Sequence, residues 1–515
     1  MISHDKPLWS PTSESINSSA ITTLRHEINA QYGIDLKDYN ELHQWSIKNI
    51  SQFWSKVWDQ FVVNGEKGNV IFSRDHIFQN STFFSDAMLN TAENILARGN
   101  DDSVAITEIL ENGSRREITW KELREMVSAC AQALKNEGIH YGDRIVAWTP
   151  NLIEVVVIGL GALSIGAIIS TSSPDFAPGA VLDRFGQIEP KLLFGATSYQ
   201  YSGKIFDCRE NLRLIHAGLP SLLKTIVIDE DPSKEFENFQ AWLKPFKNSV
   251  HNFERFPFRT PGFILYSSGT TGKPKCITHS AAGILLKLAV EQKYHFDLNE
   301  KDKVFFFTTC GWMMWNWMLY VLATGASIVI YDGSPVYPSL NKLYDIAESE
   351  KVTYFGLSAK FIDSTRKAEL SLTNSHNLDS VRLIVSSGSV LSKESFEFVY
   401  QNIKKDVHLV SMSGGTDICG CFLIGIPTQP VYSGELQGPC LGMATDVFDE
   451  NGVSAQQNQK GELVCTQPFP SMPLGFWGDD GSKYQSAYFS GFEGVWTHGD
   501  FASKTSNKGF LIYGR

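Results

Sequence analysis

The stretch FILYSSGTTGKPK, residues 263–275, carries the pattern from which the fold and chemistry of the chain are predicted. Its first residues are apolar and predict a buried strand. The glycines that follow let backbone N–H groups turn toward an anion, and hydroxyl side chains at 268, 270 and 271 add donors. Lys273 and Lys275 supply positive charge. With a helix expected from Ala281, the order strand, loop, helix predicts a phosphate-holding loop in an α/β protein.

The loop departs from the Walker A pattern. Gly269 and Gly272 are separated by two residues where that pattern has four, and Pro274 replaces its magnesium-binding Ser or Thr. A kinase is also disfavoured, because no H-R-D and D-F-G set is present. The alternative is a flexible Gly/Ser linker. Linkers rarely have Lys-Pro-Lys directly after their glycines and an apolar strand directly before them, so the phosphate loop is favoured.

Strands and helices alternate on both sides of this loop. Thr119 and Glu122 have capping-box spacing and predict a helix that runs to Lys135. Aromatic residues at near-helical spacing predict amphipathic helices over residues 42–63. Strands are predicted near residues 103–107, 144–148, 167–171, 304–307, 327–331, 354–356 and 383–386. The repeated order of strand, helix and strand indicates parallel sheets with helices on their faces.

The predicted fold class is α/β, with two α/β lobes of mostly parallel sheets flanked by helices and a small β-rich, distorted-barrel subdomain. We expect a helical N-terminal cap over residues 1–100 and a first α/β lobe over 101–250. A second lobe, with the phosphate loop and an acyl pocket, is expected over 251–438. Residues 439–515 are expected to form the β-rich subdomain, because short strands and turns replace the earlier pattern there.

Composition excludes several classes of protein. With 515 residues and 43% hydrophobic residues, the chain has room for about three core-bearing units and is not a disordered tail. A net charge of −11 argues against a nucleic-acid groove. Residues 155–174 carry no charge but include three glycines, which favours a buried helix and strand over a membrane span. Eight cysteines without a C-x-x-C pair, and no secretory signal, predict a cytoplasmic protein.

The loop and four later motifs, in the same order, resemble the adenylate-forming acyl-CoA synthetase family. The later motifs are Gly388 after a strand, Gly415-Thr416-Asp417, Thr497-His498-Gly499-Asp500 and Tyr513-Gly514-Arg515. Segments such as GWMMWNW at residues 311–317 and SGGTDI at 413–418 are similar to the acetoacetate-activating branch. The resemblance implies the N-terminal large domain of the adenylate-forming fold. It also leads us to expect that the small C-terminal domain, with its reactive lysine, lies beyond residue 515.

The resemblance implies sites for ATP, Mg²⁺ and coenzyme A. Thr416, Asp417 and Lys275 are expected to act on the reacting phosphate, and Thr270 and Asp417 to hold Mg²⁺. Asp417 stands where the family usually has Glu. Asp500 is expected to bind the ribose hydroxyls and Gly388-Ser389-Val390 to border the adenine. The full set of expected ATP-binding residues is Ser267, Ser268, Gly269, Thr270, Thr271, Gly272, Lys273, Gly388, Ser389, Val390, Ser411, Met412, Ser413, Gly414, Gly415, Asp500 and Arg515.

Acyl specificity is predicted from one substitution in the motif. Acetyl-CoA synthetases have a bulky Trp-Gln where this chain has Gly414-Gly415, so a four-carbon acid is expected to fit. Trp312, Ser387 and Gly414 are the expected pocket residues. Trp315 stands where the family has a small residue, and ordinary core packing of the tryptophans remains an alternative.

Gly203 and Lys204 are predicted to bind coenzyme A, because they stand where acetyl-CoA synthetases have an Arg-Gly-Gly-Lys run. At the position of that arginine this chain has Tyr201. His279, just beyond the loop, is predicted to be structural because carboxylate attack requires no protein base.

The expected activity is acid–thiol ligation of acetoacetate and coenzyme A, with ATP cleaved to AMP and pyrophosphate through an acyl adenylate. A ligase for propionate or butyrate is the alternative within the same class. A nucleotide-binding domain without full turnover is the alternative from another class, given where the sequence stops. Small-molecule substrates, no nucleic acid and no membrane span are expected.

Overall fold

The computed structural model describes residues 6–229, 234–267 and 272–514. Eight strands of the described chain form the first sheet, which is parallel from Glu237–Asn238 to Pro261–Ser267 and antiparallel beyond it. In spatial order these strands are Glu237–Asn238, Lys224–Val227, Leu192–Gly195, Arg144–Trp148, Ile168–Ser172, Pro261–Ser267, Lys275–Ser280 and Gly475–Phe476. The middle strands are buried on both faces, as expected for a parallel sheet covered by helices.

A second sheet contains seven of the described strands and is parallel except at one edge. Its spatial order is His408–Ser411, Leu383–Ser387, Tyr354–Ser358, Lys303–Phe306, Ser327–Asp332, Val104–Leu110 and Arg115–Thr119. The early strand Val104–Leu110 therefore pairs with a strand more than two hundred residues later in the chain. The strand Pro261–Ser267, which lies after residue 250, belongs to the first sheet. Each sheet therefore contains strands from both sides of the predicted division at residue 250. The domain boundaries stay a prediction.

The strand Lys275–Ser280 was not predicted. It runs antiparallel to Pro261–Ser267, with Ser267 opposite Lys275, and the helix Ala281–Ala289 begins only after it. The phosphate loop therefore joins two strands of a hairpin, and the predicted order of strand, loop and helix is wrong at this point. The sequence KCITHS mixes charged and β-branched residues, so its strand becomes evident only from its pairing.

Helices cover the sheets and form the N-terminal cap. Thr119 and Glu122 make the predicted capping box at the helix Trp120–Asn136. The predicted aromatic helices are also present, with Phe53, Trp54 and Trp58 buried. The α-helices are Ser13–Ser18, Ala20–Tyr32, Tyr39–Lys48, Ile50–Phe61, Thr91–Leu96, Trp120–Asn136, Ile153–Ser164, Pro178–Phe185, Arg209–Ala217, Phe239–Leu243, Ala281–Ala289, Met313–Val321, Lys342–Ser349, Ala359–Lys367, Lys393–Phe398 and Ser482–Tyr488. The 3-10 helices are Phe78–Asn80, Lys244–Phe246 and Leu322–Thr324, and the π-helices are Val290–His295 and Val399–Ile403.

The C-terminal part of the chain is built from antiparallel strands. A four-stranded sheet contains Thr445–Phe448, Gly461–Cys465, Trp496–Lys504 and Phe510–Gly514. The smaller sheets contain Gly65–Glu66, Met88–Leu89 and Phe256–Pro257; Phe72–Ser73 and Thr82–Phe83; Ser198–Tyr201 and Lys204–Asp207; and Ser413–Gly415, Gly420–Ile424 and Gly438–Pro439. No helix within the described ranges is long and apolar enough to cross a membrane.

Candidate active site

The two lysines of the phosphate-loop hairpin differ in their exposure to solvent. Ser267 and Lys275 face each other at the end of the hairpin, and both are half-buried. Gly272 has a φ of +113°, a backbone conformation that L side chains rarely adopt, and Lys273 beside it is exposed. The predicted ATP-binding residues Ser268, Gly269, Thr270 and Thr271 lie outside the described residues.

The second sheet ends in two adjacent segments that were both predicted to meet the nucleotide. Leu383–Ser387 is followed by Gly388, with a φ of +88°, and then by exposed Ser389 and Val390. His408–Ser411 runs parallel beside it, and the Met412 N–H donates to the Ser386 carbonyl at 3.0 Å. Both segments lie at the carboxyl edge of a parallel sheet, where open α/β folds bind their ligands.

The Gly414-Gly415 pair belongs to a small antiparallel sheet in which Ser413–Gly415 pairs with Gly420–Ile424. A β-carbon on Gly414 would lie 2.0 Å from the Gly420 carbonyl oxygen, so the neighbouring backbone fills this space. A β-carbon on Gly415 would lie no closer than 3.7 Å to Asp417 Oδ2. The absence of an indole was expected to leave open space beside Gly414, but the paired strand fills that space. Only the backbone of Gly414 can therefore border a substrate.

Asp417 lies in the turn between the strands Ser413–Gly415 and Gly420–Ile424 and is buried. Its Oδ1 accepts a hydrogen bond from the Tyr488 hydroxyl, a contact that sequence reasoning did not predict. Lys275 Nζ lies 5.6 Å from the centroid of the Tyr488 ring and 5.6 Å from that of Phe476. The structure thus joins two predicted site residues through one tyrosine from a distant helix.

Thr416 is held from behind by His279. The His279 Nε2 is 2.9 Å from the Thr416 carbonyl oxygen, so Nε2 carries the proton and donates it. Burial lowers the pKa of His279 to about 4, although its bond to the Thr416 carbonyl and the charge of Asp417 act in the opposite direction. A neutral, fully buried imidazole bonded to a carbonyl agrees with the predicted structural role.

The C-terminal sheet reaches the same region through its strand Trp496–Lys504. His498 Nε2 lies 3.3 Å from the Gly414 carbonyl oxygen and 3.4 Å from Asp500 Oδ2. The Gly499 N–H donates to Glu462 Oε1 at 2.7 Å, which holds the irregularly paired part of the strand before Asp500. His498 therefore links Asp500 to the Gly414 hairpin, while Arg515 lies outside the described residues.

The three tryptophans of residues 311–317 separate into two environments. Trp312 is 62% exposed, and its ring centroid lies 6.5 Å from that of Phe176. Trp315 and Trp317 are buried in the core, and Trp317 Nε1 donates to Glu291 Oε2 at 3.2 Å. Core packing thus accounts for two of the tryptophans and leaves Trp312 free to meet a substrate.

The two predicted coenzyme A residues lie on an exposed hairpin formed by Ser198–Tyr201 and Lys204–Asp207. The Gly203 N–H donates to Glu111 Oε1 at 2.7 Å, and the N–H groups of Ser202 and Ser334 donate to Glu111 Oε2. The Gly203 amide is therefore already used to anchor the hairpin. Lys204 is exposed and remains a predicted contact to an anionic group.

Two mostly parallel sheets, together with a lysine-bearing hairpin, a glycine turn and a buried carboxylate, are typical of a nucleotide-binding α/β protein. Residues 95–477 match the family model described as AMP-binding enzyme, and residues 39–95 match the one described as acetyl-coenzyme A synthetase N-terminus. Because the first match spans most of the chain, the chain belongs to the AMP-binding enzyme family. The resemblance predicted from the ordered motifs is confirmed.

Within that family the chain is similar to proteins named acetoacetyl-CoA synthetase. The protein of Rhizobium meliloti (strain 1021) is 44% identical over 518 residues, covering 99% of this chain and 79% of that protein. The protein of Gallus gallus is 39% identical over 527 residues, with the same two coverages. The chain therefore spans about four fifths of the length of these two relatives.

A solved structure confirms the predicted fold class. Acetoacetyl-CoA synthetase from Streptomyces lividans matches with a TM-score of 0.93 and 35% sequence identity. The match covers 99% of this chain and 80% of that one. At this similarity, the fold is shared over nearly the whole chain.

Proposed function

We propose that the chain is an ATP-dependent acid–thiol ligase that converts acetoacetate, ATP and coenzyme A to acetoacetyl-CoA, AMP and pyrophosphate. The observation that carries this proposal is the similarity over 99% of the chain to proteins named acetoacetyl-CoA synthetase. The site geometry supports it, because Tyr488 links Lys275 of the phosphate-loop hairpin to Asp417, and the strand before Gly388 pairs with the strand that leads toward Asp417.

The first half-reaction joins the acid to AMP. A carboxylate oxygen of acetoacetate forms a bond to the α-phosphorus of ATP, and the bond from that phosphorus to the pyrophosphate oxygen breaks. Positioning and electrostatic stabilisation are the contributions a protein makes to such a step. We assign them to Lys275, the loop N–H groups and Thr416, whose backbone is held by His279.

The second half-reaction transfers the acyl group. The coenzyme A sulfur forms a bond to the acyl carbon, the bond from that carbon to the AMP oxygen breaks, and AMP leaves with the electron pair. We propose Trp312, Ser387 and the Gly414 backbone as the acyl-pocket residues, because they are partly exposed around the same strand ends. Gly203 and Lys204 remain proposed contacts to the coenzyme A nucleotide, with the Gly203 N–H already bonded to Glu111.

Mg²⁺ fits this site through a single protein carboxylate. No group of three or more metal-ligating side chains occurs among residues 6–229, 234–267 and 272–514. Mg²⁺ bound with nucleotides needs only one or two carboxylates, since phosphate oxygens and water complete its octahedron. Asp417 Oδ2 accepts no hydrogen bond from the described residues and would supply that ligand, with Thr270 proposed as its hydroxyl partner. When bound, the ion supplies positive charge to the phosphates.

The nucleotide contacts follow from the same arrangement. We propose that Gly388, Ser389 and Val390 border the adenine, since they are exposed beyond the end of their strand. Asp500 is proposed to accept the two ribose hydroxyls, a role for which an ionised carboxylate has enough acceptor sites. We also propose a cytoplasmic location, which is supported by eight cysteines that are all free and buried.

An acid panel in the pyrophosphate-exchange assay tests the proposal. Labelled pyrophosphate should enter ATP at least about ten-fold faster with acetoacetate than with acetate, propionate or butyrate, a ratio typical of pockets that discriminate by size and one polar group. Omitting Mg²⁺ and omitting the acid are the controls. Equal exchange with acetate would contradict the acyl specificity, and no exchange with any acid would contradict the ligase function.

A further inference from the structure

Tyr488 lies at the centre of a cluster that no motif of the sequence indicates. It is the last residue of the helix Ser482–Tyr488, and its ring stacks on Trp496 with centroids 4.0 Å apart and planes 13° apart. Its hydroxyl donates a hydrogen bond to Asp417 Oδ1. Lys275 Nζ lies over its ring, 5.6 Å from the ring centroid. One buried side chain thus contacts both the proposed metal ligand and the loop lysine.

The aromatic surroundings hold the ring of Tyr488 in place. Phe476 packs edge-on against it, with centroids 5.8 Å apart, and also lies 5.6 Å from Lys275 Nζ. The ammonium group is therefore attracted by two aromatic rings, an interaction that strengthens where water is excluded. Trp496 begins the strand that carries His498 and Asp500, so the stack also ties the ring to the proposed ribose site.

The hydrogen bond to Asp417 restricts a carboxylate that would otherwise rotate. A bond from a hydroxyl to an ionised carboxylate is charge-assisted and roughly twice as strong as a neutral one. It occupies Oδ1 and leaves Oδ2 without a hydrogen bond among the described residues. Asp417 is one methylene shorter than the Glu that the family usually has at this position. Its contact with a phosphate-bound cation therefore depends more on a fixed orientation than the contact of a Glu would.

We infer that Tyr488 is a positioning residue for the adenylation half-reaction, and this inference rests on the proposed function. Its hydroxyl orients Asp417 toward Mg²⁺, and its ring holds the Lys275 ammonium beside the phosphate loop. Tyr488 touches neither the reacting acid nor the reacting phosphorus in this role. It acts through the two side chains that it contacts.

The variant Y488F tests the hydroxyl separately from the ring, because Phe keeps the stack on Trp496 and the contact with Lys275. Calorimetric titration of ATP with and without Mg²⁺ should show the metal-dependent gain in affinity reduced by about ten-fold, as expected for loss of one hydrogen bond to a charged group. The affinity for ATP without Mg²⁺ should stay unchanged. In the exchange assay, half-maximal rate should require more Mg²⁺, while the KM for acetoacetate stays as in the parent.

Y484F is the matched control. Tyr484 lies one turn earlier on the same helix, is buried, and donates its hydroxyl to the Pro473 carbonyl oxygen at 3.3 Å instead of to Asp417. Y484F should leave the Mg²⁺ dependence of ATP binding unchanged. An equal effect of Y484F and Y488F would overturn the inference, because it would indicate a general disturbance of the helix.

A double-mutant cycle with D417N keeps the inference testable if Y488F also lowers stability. Residues that act through one another are non-additive, so Y488F should reduce the Mg²⁺-dependent affinity in the parent but not in D417N. Additive losses, or an unchanged metal dependence in Y488F, would show that Tyr488 does not position Asp417. The calorimetric measurements need no acid, so their outcome is separate from a failure of the acetoacetate exchange assay.

Discussion

Two neighbouring glycines of the site have different surroundings. Gly414 lies against the backbone of its partner strand, with the Gly420 carbonyl oxygen 2.0 Å from where a β-carbon would be. Gly415 has no atom closer than 3.7 Å to its own β-carbon position. Neither position is forced to be glycine by a positive φ, since both have an ordinary backbone conformation. The difference between them comes from packing.

Replacing each glycine by alanine separates these cases. G414A should lower the free energy of unfolding by about 2–3 kcal/mol, because the new methyl group meets backbone that cannot move without breaking the strand pair. G415A should change it by less than about 1 kcal/mol, since its methyl group makes ordinary contacts. Urea unfolding of the two variants measures both values. Equal stability of G414A and G415A would contradict the close approach of the two strands.

At the scale of elements, a buried ion pair joins three of them behind the Gly414 hairpin. Lys287 and Glu291 lie one turn apart, and both side chains have 0% exposure. Glu291 also accepts the Cys421 N–H at 2.7 Å and the Trp317 Nε1–H at 3.2 Å. The carboxylate thereby connects its own helical segment with the strand Gly420–Ile424 and the helix Met313–Val321. Such a pair is stable only with both partners present.

Removing one partner of this ion pair should lower the free energy of unfolding more than neutralising both partners does. K287M should lower the free energy of unfolding by about 3–5 kcal/mol, because it leaves an uncompensated buried carboxylate. In K287M/E291Q the amide oxygen can still accept one of these two N–H groups without a buried charge, so the double variant should be more stable than K287M. Urea unfolding of the three proteins measures this order. A double variant less stable than K287M would show that the charge itself is not the cause.

At the scale of the whole molecule, buried histidines connect stability with pH. Burial lowers the pKa of His279 to about 4, of His295 to about 3 and of His408 to about 4. Their imidazoles bond to the Thr416 carbonyl, the Gly425 carbonyl and the Gln437 side chain respectively. Burial also raises the pKa of Asp332 to about 6, so the folded protein takes up one proton there on acidification.

These shifts predict a loss of stability in mild acid. Below about pH 6.5 the unfolded chain protonates the three histidines while the folded protein does not, so the free energy of unfolding falls as pH falls from about 6.5 toward 4. Asp332 acts in the opposite direction, because the folded protein binds a proton there that the unfolded chain does not bind near pH 5, and it reduces the slope of stability against pH.

Urea unfolding between pH 7 and pH 5 measures this slope. The variant H408Q removes one titrating group, so its slope should be smaller by about 1.4 kcal/mol per pH unit, whatever its absolute stability. An unchanged slope in H408Q would show that His408 is not protonated on unfolding in this range.

Local patterns were sufficient to predict the class of the protein and several strands of its two large sheets. The capping box at Thr119, the apolar strand periods and the spacing of Gly269, Gly272 and Lys275 depend on neighbours in the chain, and neighbours are what a sequence displays. The ordered motifs then indicated the enzyme family, because each motif serves a separate contact with the same nucleotide. That Asp417, Asp500 and Gly388 serve one nucleotide stays a prediction from that order.

The tertiary structure alone decided which residues meet across long separations. Tyr488 reaches Asp417 from 71 residues away, and a Tyr in a Ser-rich helix has no local sign of such a partner. The lack of space for a side chain at Gly414 and the formation of the strand Lys275–Ser280 both depend on strand pairing. The strand Val104–Leu110, predicted in the first lobe, pairs with a strand predicted in the second lobe, and this depends on the order of strands in the sheet. Sequence by itself therefore determined the chemistry available to this protein. Packing determined how that chemistry is held in place, because contact energies between distant segments are absent from any local pattern.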